Sequence, residues 1–324
     1  MAELIDNYGR CLRYVRISVT DRCNFRCSYC MPAGGVHCMS HDEILRYEDI
    51  SFLCRCFLYL GVRKIRFTGG EPLVRKDLLP FLEQLRNSFP DMKLALTTNA
   101  ALLNRYAEGL SRINLNSLNI SLDTLDAKKF MEITRIGTLG AVIKGIRAAV
   151  SSGIKNIKLN AVMIKGFNDG EVCALLSFAK REGLLLRLIE FMPLEDGVWN
   201  NNSFISGEEI LKTLPDCESW RAEKSGGAEE GPARYYVNEK TGDSIGIIEA
   251  VSKHFCDSCN RLRVSAAGAL RMCLFDERET PLRELIRSRD AEALREKILN
   301  SVSEKPRCWN DVRRGSRSMS KIGG

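Results

Sequence analysis

A unit recurs six times from Leu12 onward: a short β-rich run, a polar or glycine turn, then an amphipathic helical stretch. The β runs read as residues 13–20, 64–68, 93–98, 117–122, 158–163 and 185–190, and helical patterns fill the gaps at 43–60, 76–88, 102–110, 139–152 and 170–181. Strands in this rhythm pair in parallel, because each return crosses over through a helix. Six successive βα units joined by right-handed crossovers predict an α/β fold, a partial (β/α)6 TIM-like barrel, with functional groups gathered where the strands end. The strand ends lead into the Cys23 loop, Gly69-Gly70-Glu71-Pro72, Thr97-Thr98-Asn99, Ser121 with Asp123, Gly166, and Glu190 with Met192.

The rhythm stops after Pro193. Gly226, Gly227, Gly231 and Pro232 break any helix, and short β-like runs follow at 234–237, 244–248 and 262–265. A helical stretch at 281–299 and a basic, glycine-containing tail from Arg313 complete the chain. This divides the sequence into a barrel, 1–219, and a smaller C-terminal region, 220–324. With 44% hydrophobic residues over 324 positions, disorder is excluded. Neither an apolar run of about 18 residues nor an N-terminal signal segment is read, so a cytoplasmic protein is expected. The net charge of +7 asks for an anionic partner, a nucleic acid or a phosphorylated small molecule.

Thirteen cysteines in a chain of this kind point to reduced thiolate ligands rather than disulfides. Three of them, Cys23, Cys27 and Cys30, follow the first strand in TDRCNFRCSYCMP with the spacing C-x3-C-x2-C. Three thiolates on one loop leave one iron of a [4Fe–4S] cluster open, whereas zinc sites usually pair two cysteines with two ligands elsewhere. The loop resembles that of the radical S-adenosylmethionine (SAM) superfamily, as does FTGGEPL at the end of the second strand. The resemblance implies that SAM chelates the open iron and is cleaved to a 5′-deoxyadenosyl radical that abstracts hydrogen from a substrate. It assigns SAM contacts to Tyr29, Gly70, Ser121 and Met192.

A second triad, Cys256, Cys259 and Cys273, has the spacing C-x2-C-x13-C, with no fourth cysteine close by in sequence. Either His254 completes a Cys3His zinc site, or a second cluster keeps an open iron. The segments LRYVRISVTDRCNFRCSYCMP, IKLNAVMIKGFND, RLIEFMPL, SKHFCDSCNRLR and the terminal SMSKIGG resemble the GTP 3′,8-cyclase family over nearly the whole chain, which favours the cluster. That resemblance implies two [4Fe–4S] clusters, the second binding the purine of GTP. It implies GTP contacts at Arg16, Arg66, Thr97, Lys158, Arg261 and Arg263, and catalytic roles for Arg261, Arg263, Gly323 and Gly324. The implied reaction yields 3′,8-cyclo-7,8-dihydroguanosine triphosphate, the first step of molybdenum cofactor biosynthesis. Its implied partners are a flavodoxin- or ferredoxin-type reductant and a cyclic pyranopterin monophosphate synthase. A homodimer is compatible with the sequence; a membrane partner is not expected.

The residue types fit a triphosphate independently: guanidinium groups donate paired hydrogen bonds, and Arg261 and Arg263, two apart on a strand, share one face. The other seven cysteines, Cys308 among them, read as incidental thiols. Two positions depart from the family pattern: Ala100 stands where glycine is usual, so a turn needing positive φ would be strained, and Ala267-Gly268-Ala269 replaces a more polar turn. Competing readings are a radical SAM enzyme acting on a peptide or tRNA base, and a non-enzymatic zinc protein. No RNA-binding module is recognisable, so a nucleic acid is not expected.

Overall fold

The computed structural model describes residues 3–194, 199–223 and 231–312. The six expected strands are present: β1 (Tyr14–Ser18), β2 (Lys64–Thr68), β3 (Lys93–Thr98), β4 (Ser117–Ser121), β5 (Ile157–Met163) and β6 (Leu185–Glu190). Six more follow: β7 (Trp220–Ala222), β8 (Arg234–Asn238), β9 (Ser244–Ile248), β10 (Arg261–Val264), β11 (Ala269–Arg271) and β12 (Thr280–Pro281). The helices are α1 (Tyr47–Tyr59), α2 (Leu78–Ser88), α3 (Ala107–Arg112), α4 (Ala127–Thr134), α5 (Leu139–Ser151), α6 (Val172–Arg181), α7 (Gly207–Lys212), α8 (Arg283–Arg287) and α9 (Ala291–Ser303). None of the described helices is long and apolar enough to cross a membrane.

The chain resolves into two compact units. Unit 1 comprises Met1–Asn24, Cys30–Thr97 and Cys256–Gly324, and unit 2 comprises Phe25–Tyr29 and Thr98–Phe255. In unit 1, β2 pairs in parallel with both β1 and β3, and β10 lies parallel to the other edge of β1. The strands β11 and β12 then continue antiparallel beyond β10. In unit 2, β4, β5, β6 and β9 are parallel neighbours, with β8 and β7 added antiparallel. The C-terminal strands thus extend parallel sheets by pairing with β1 and β6, which would otherwise present open edges.

Period-two alternation gives unit 1 two different sheet faces. Ile65 and Phe67 of β2 are fully buried, and Phe67 meets Phe81 of α2 edge to face at 5.7 Å. Lys64, Arg66 and Thr68 alternate with them and take the opposite face. Helix α5 buries Val142, Gly145, Ile146 and Ala149, an i, i+3, i+4, i+7 stripe.

Ala100 confirms the strain expected after β3. Its φ is +62°, and it is wholly buried, with its N–H donating to Thr98 Oγ1 at 3.0 Å. The missing side chain of Gly145 admits the Ala100 carbonyl, which would lie 2.0 Å from a Cβ there. A left-handed alanine costs about 1–2 kcal/mol, and a glycine would return part of the gain as unfolded-chain entropy. Ala100→Gly is therefore expected to raise unfolding free energy by about 0.5–1 kcal/mol in chemical denaturation. A lower midpoint would show that packing, not φ, governs this turn.

Candidate functional site

Register assembles the basic residues of unit 1. Arg16 lies opposite Arg66 on β2 and Arg263 on β10, and Arg263 in turn lies opposite Arg271 on β11. Four guanidinium-bearing residues therefore form one row across four strands, on one face of the sheet. Arg66 and Arg263 are each 3% exposed. Arg271 is neutralised by Glu279 at 2.6 Å. Arg16 and Arg263 have no ion-pair partner among the described residues, and the Nε of each is buried without a hydrogen-bond acceptor. Burial, then mutual repulsion with Arg261, brings Arg263 down to about 10. Arg16 falls to about 9, chiefly through burial, with Arg263, Arg66 and Arg261 adding to it against the pull of Tyr14. Arg16 and Arg263 thus each keep a buried Nε donor without an acceptor, which an anion would satisfy.

Tyr14 sits in the neighbouring row, opposite Arg261 and Lys64. Arg66 Nε donates to its hydroxyl at 2.7 Å, while Arg66 Nη1 donates to the Leu96 carbonyl at 2.6 Å and to Thr97 Oγ1 at 3.4 Å. Burial alone would raise the Tyr14 phenol, but Arg66, Arg16 and Lys64 outweigh it and bring it down to about 7. A group depressed in this way lends stability above its unfolded value near 10, and that stability is lost as pH falls through about 7. The wild-type denaturation midpoint, in cluster-free protein, should drop relative to Tyr14→Phe between pH 8.5 and 6. Parallel pH profiles would refute an ionised Tyr14.

The second cysteine triad abuts this row. Cys256 opens a single 3-10 turn, Cys256–Ser258, and Cys259 follows it, its N–H donating to the Cys256 carbonyl at 3.1 Å. Burial would raise the Cys259 thiol, but the charges of Arg261 and Lys305, with Arg263 and the Arg261 N–H, bring it down to about 6. Lys305 is 3% exposed; its Nζ donates to the carbonyls of Arg261, at 3.1 Å, and of Met272. These cations suit a set of thiolates, so the donor chemistry fits an iron–sulfur cluster or another thiophilic metal centre. Nothing in the sequence around Lys305 signals this position. Cys308, read from sequence as incidental, lies within 4.8 Å of Cys256, sulfur to sulfur, so a fourth cysteine does stand beside the triad.

On the first loop, Cys23 and Cys30 belong to unit 1 and Cys27 to unit 2; all three are half-buried. The Gly69-Gly70 turn braces its start within unit 1. Gly70 N–H donates to the Thr20 carbonyl and Glu71 N–H to the Arg22 carbonyl, both at 2.8 Å. A Cβ on Gly70 would stand 2.3 Å from that Arg22 oxygen. Glycine is needed there because two backbones touch.

Unit 2 holds the remaining candidates. The Tyr29 hydroxyl donates to Asp123 Oδ2 at 2.6 Å, and the Val162 N–H donates to Asp123 Oδ1 at 2.8 Å. Burial pushes the Asp123 carboxyl up to about 6 against both hydrogen bonds. Ser121 ends β4 opposite Asn160, and Lys158 lies opposite Asn119 on the same face. Lys158 Nζ donates to the Tyr235 hydroxyl at 3.3 Å. Met192 follows β6 and is half-buried. Glu190, expected among reactive strand-end residues, is instead consumed structurally: it accepts from the N–H groups of Gly207, Val251 and Ser252 and from the Ser252 hydroxyl. Gly323 and Gly324 lie outside the described residues.

Comparison with known proteins places the chain in a family. Residues 17–179 match the Radical SAM superfamily model, and residues 184–310 match the Molybdenum Cofactor Synthesis C model. The fold also aligns with Streptococcus suis SuiB bound to S-adenosylmethionine, with a TM-score of 0.59 and 15% identity over 89% of this chain and 66% of that one. These define a radical SAM enzyme built on a partial (β/α)6 barrel. The GTP 3′,8-cyclase of Geobacter sulfurreducens is 42% identical over 99% of this chain and 100% of its own, and that of Thermodesulfovibrio yellowstonii 38% over 98% and 99%. The chain belongs to the GTP 3′,8-cyclase family.

Proposed function

We propose that the chain cyclises GTP to 3′,8-cyclo-7,8-dihydroguanosine triphosphate, the opening reaction of molybdenum cofactor biosynthesis, using SAM and two [4Fe–4S] clusters. The observation that carries this is the buried arginine row beside the second thiol triad, a place for a polyanion next to a place for a cluster. SAM held at the first cluster would supply, on one-electron reduction and release of methionine, a radical able to take the ribose 3′ hydrogen, and closure of that carbon onto C8 of guanine would be completed by a second electron from the reductant and a proton.

The chain's own residues bind and orient. Arg16, Arg66, Arg261 and Arg263 hold the triphosphate and ribose; Arg66 and Arg263 are buried and Arg16 and Arg261 half-buried, so their donors need little rearrangement when the anion arrives. Thr97 steers Arg66, whose Nη1 it accepts. Lys158 is a further GTP contact by resemblance to the family. Cys256, Cys259 and Cys273 hold the second cluster and leave an iron for the purine. Cys23, Cys27 and Cys30 hold the first, with Tyr29, Gly70, Ser121 and Met192 contacting SAM; Asp123, which fixes the Tyr29 hydroxyl, positions that side chain. Arg261, Arg263 and the double glycine Gly323-Gly324 support catalysis. On this reading 1–219 is the SAM-binding part and 220–324 carries the second cluster. The enzyme works in the cytoplasm with a flavodoxin- or ferredoxin-type reductant, and a cyclic pyranopterin monophosphate synthase takes its product.

Anaerobically reconstituted protein with SAM and dithionite, assayed with and without GTP, tests the proposal. GTP should strongly increase 5′-deoxyadenosine formation and yield a cyclised nucleotide. Equal SAM cleavage without GTP, and no such nucleotide, would leave a radical SAM enzyme with another substrate. A colourless, zinc-loaded protein would refute the cluster assignments.

A further inference from the structure

Cys308 is held beside Cys256 of the second triad by a hydrogen-bond network. Its sulfur and that of Cys256 lie within 4.8 Å, although 52 positions separate them in the sequence. Arg10 makes that approach possible. It is 8% exposed, and its Nε is paired with Asp6 Oδ2 at 2.6 Å. Its Nη1 donates to the carbonyls of Cys256, at 2.8 Å, and Arg307, at 2.9 Å, while Nη2 donates to the Pro306 carbonyl at 2.7 Å. One buried guanidinium therefore pins the first ligand of the triad to the two residues before Cys308. A charged donor shared among three carbonyls in a dry setting is a strong and directional link.

The other side of Cys308 is anchored as well. Its N–H donates to Asp311 Oδ2 at 3.0 Å, capping the 3-10 turn Trp309–Asp311. Trp309 packs on Phe275, two residues past Cys273, with ring centroids 4.8 Å apart. The thiol is thus fixed from both neighbours, close to Cys256 and to the chain that carries Cys273.

A three-cysteine cluster has one iron that needs a fourth ligand, and a thiolate held nearby outcompetes water for it. We propose that Cys308 is that ligand in the substrate-free enzyme, closing the fourth coordination position of the second cluster until GTP displaces it. This rests on the reading of the second triad as the GTP-binding cluster and gives that cluster two states, sealed by protein sulfur or open to a purine.

Mössbauer spectroscopy of the ⁵⁷Fe-reconstituted full chain, without SAM, distinguishes these states. In wild type without GTP only the first cluster should show a distinct open-site iron, roughly one iron in eight. Saturating GTP should double that fraction. Cys308→Ala should double it without GTP and respond no further in amount, and Cys308→Ser, which keeps size and hydrogen bonding, should replace the sulfur signature at that iron with an oxygen one. A doubled fraction already present in GTP-free wild type, or spectra unchanged by either substitution, would overturn the proposal while leaving GTP binding at the second cluster intact. Failure of the second triad to assemble any iron–sulfur cluster would overturn both.

Discussion

Cys273→Ala should retain about half of the reconstituted iron and lose GTP cyclisation by on the order of 10³-fold or more, while still cleaving SAM slowly with dithionite. The expectation follows from the placement of Cys273 just beyond β11, in the charge field it shares with Cys259, Arg263 and Lys305. On the proposed assignment, removing one of three thiolates destroys the second cluster, while the first-loop cysteines sit elsewhere in the sequence and keep theirs. Iron analysis, absorbance near 400 nm and product chromatography check the three parts separately. Unchanged turnover would mean that the second triad does not engage the substrate.

Arg263→Met should produce opposite changes in stability and activity. Arg263 is a buried cation facing other cations, its Nε without an acceptor, so in the cluster-free chain an apolar side chain of similar length should raise unfolding free energy by about 1–2 kcal/mol. On the proposed function the same substitution removes charge-assisted hydrogen bonds to GTP, each worth about 1.5–3 kcal/mol, so kcat/KM should fall by about 10²-fold. The denaturation midpoint and steady-state kinetics measure the two effects. A less stable variant with normal kcat/KM would show that Arg263 is structural. Stability given up to hold a site ready is a general feature of functional positions.

The barrel strands were legible because short β-rich runs recur between turn signals and helical patterns: β2, β3 and β6 have the expected bounds, β4 and β5 differ by one residue at an end, and β1 is shorter at both ends. The misses have local causes. Helix α4 went unread because only Phe130, Ile133 and Thr134 are buried in its eight residues, too few for a visible period. The single helix expected over 281–299 is two: Arg289 turns left-handed at φ +60°, and Asp290 restarts the chain as α9 by accepting from the Ala293 N–H at 3.0 Å. The stretch expected as a helix over 102–110 splits into a 3-10 turn, Leu103–Arg105, and α3.

Within the site, spacing along a strand revealed that Arg261 and Arg263 share a face. The row they join became visible only through strand pairing, since Arg16, Arg66 and Arg271 lie far apart in the chain. Lys305, Arg10 and Cys308 were beyond sequence reasoning for the same reason. Their roles depend on carbonyls and sulfurs brought near by folding, and neither their spacing nor their neighbours carry a trace of it. Glu190 shows the converse, an acid at a strand end whose capacity is spent on backbone N–H groups.

The pairing of β1 with β10 also sets a schedule for biosynthesis. Unit 2 draws all six of its strands from one continuous stretch of chain, whereas β1, near the N-terminus, receives its second neighbour only when Arg261–Val264 has been made. At translation rates of about 5–20 residues per second, that edge stays open for on the order of tens of seconds. An exposed parallel edge bearing Val15 and Ile17 invites pairing with other nascent chains during that interval. Slower synthesis or higher expression should therefore burden the yield of folded enzyme through β1, before any cluster is inserted, and chaperones that shield early-emerging strands should relieve it.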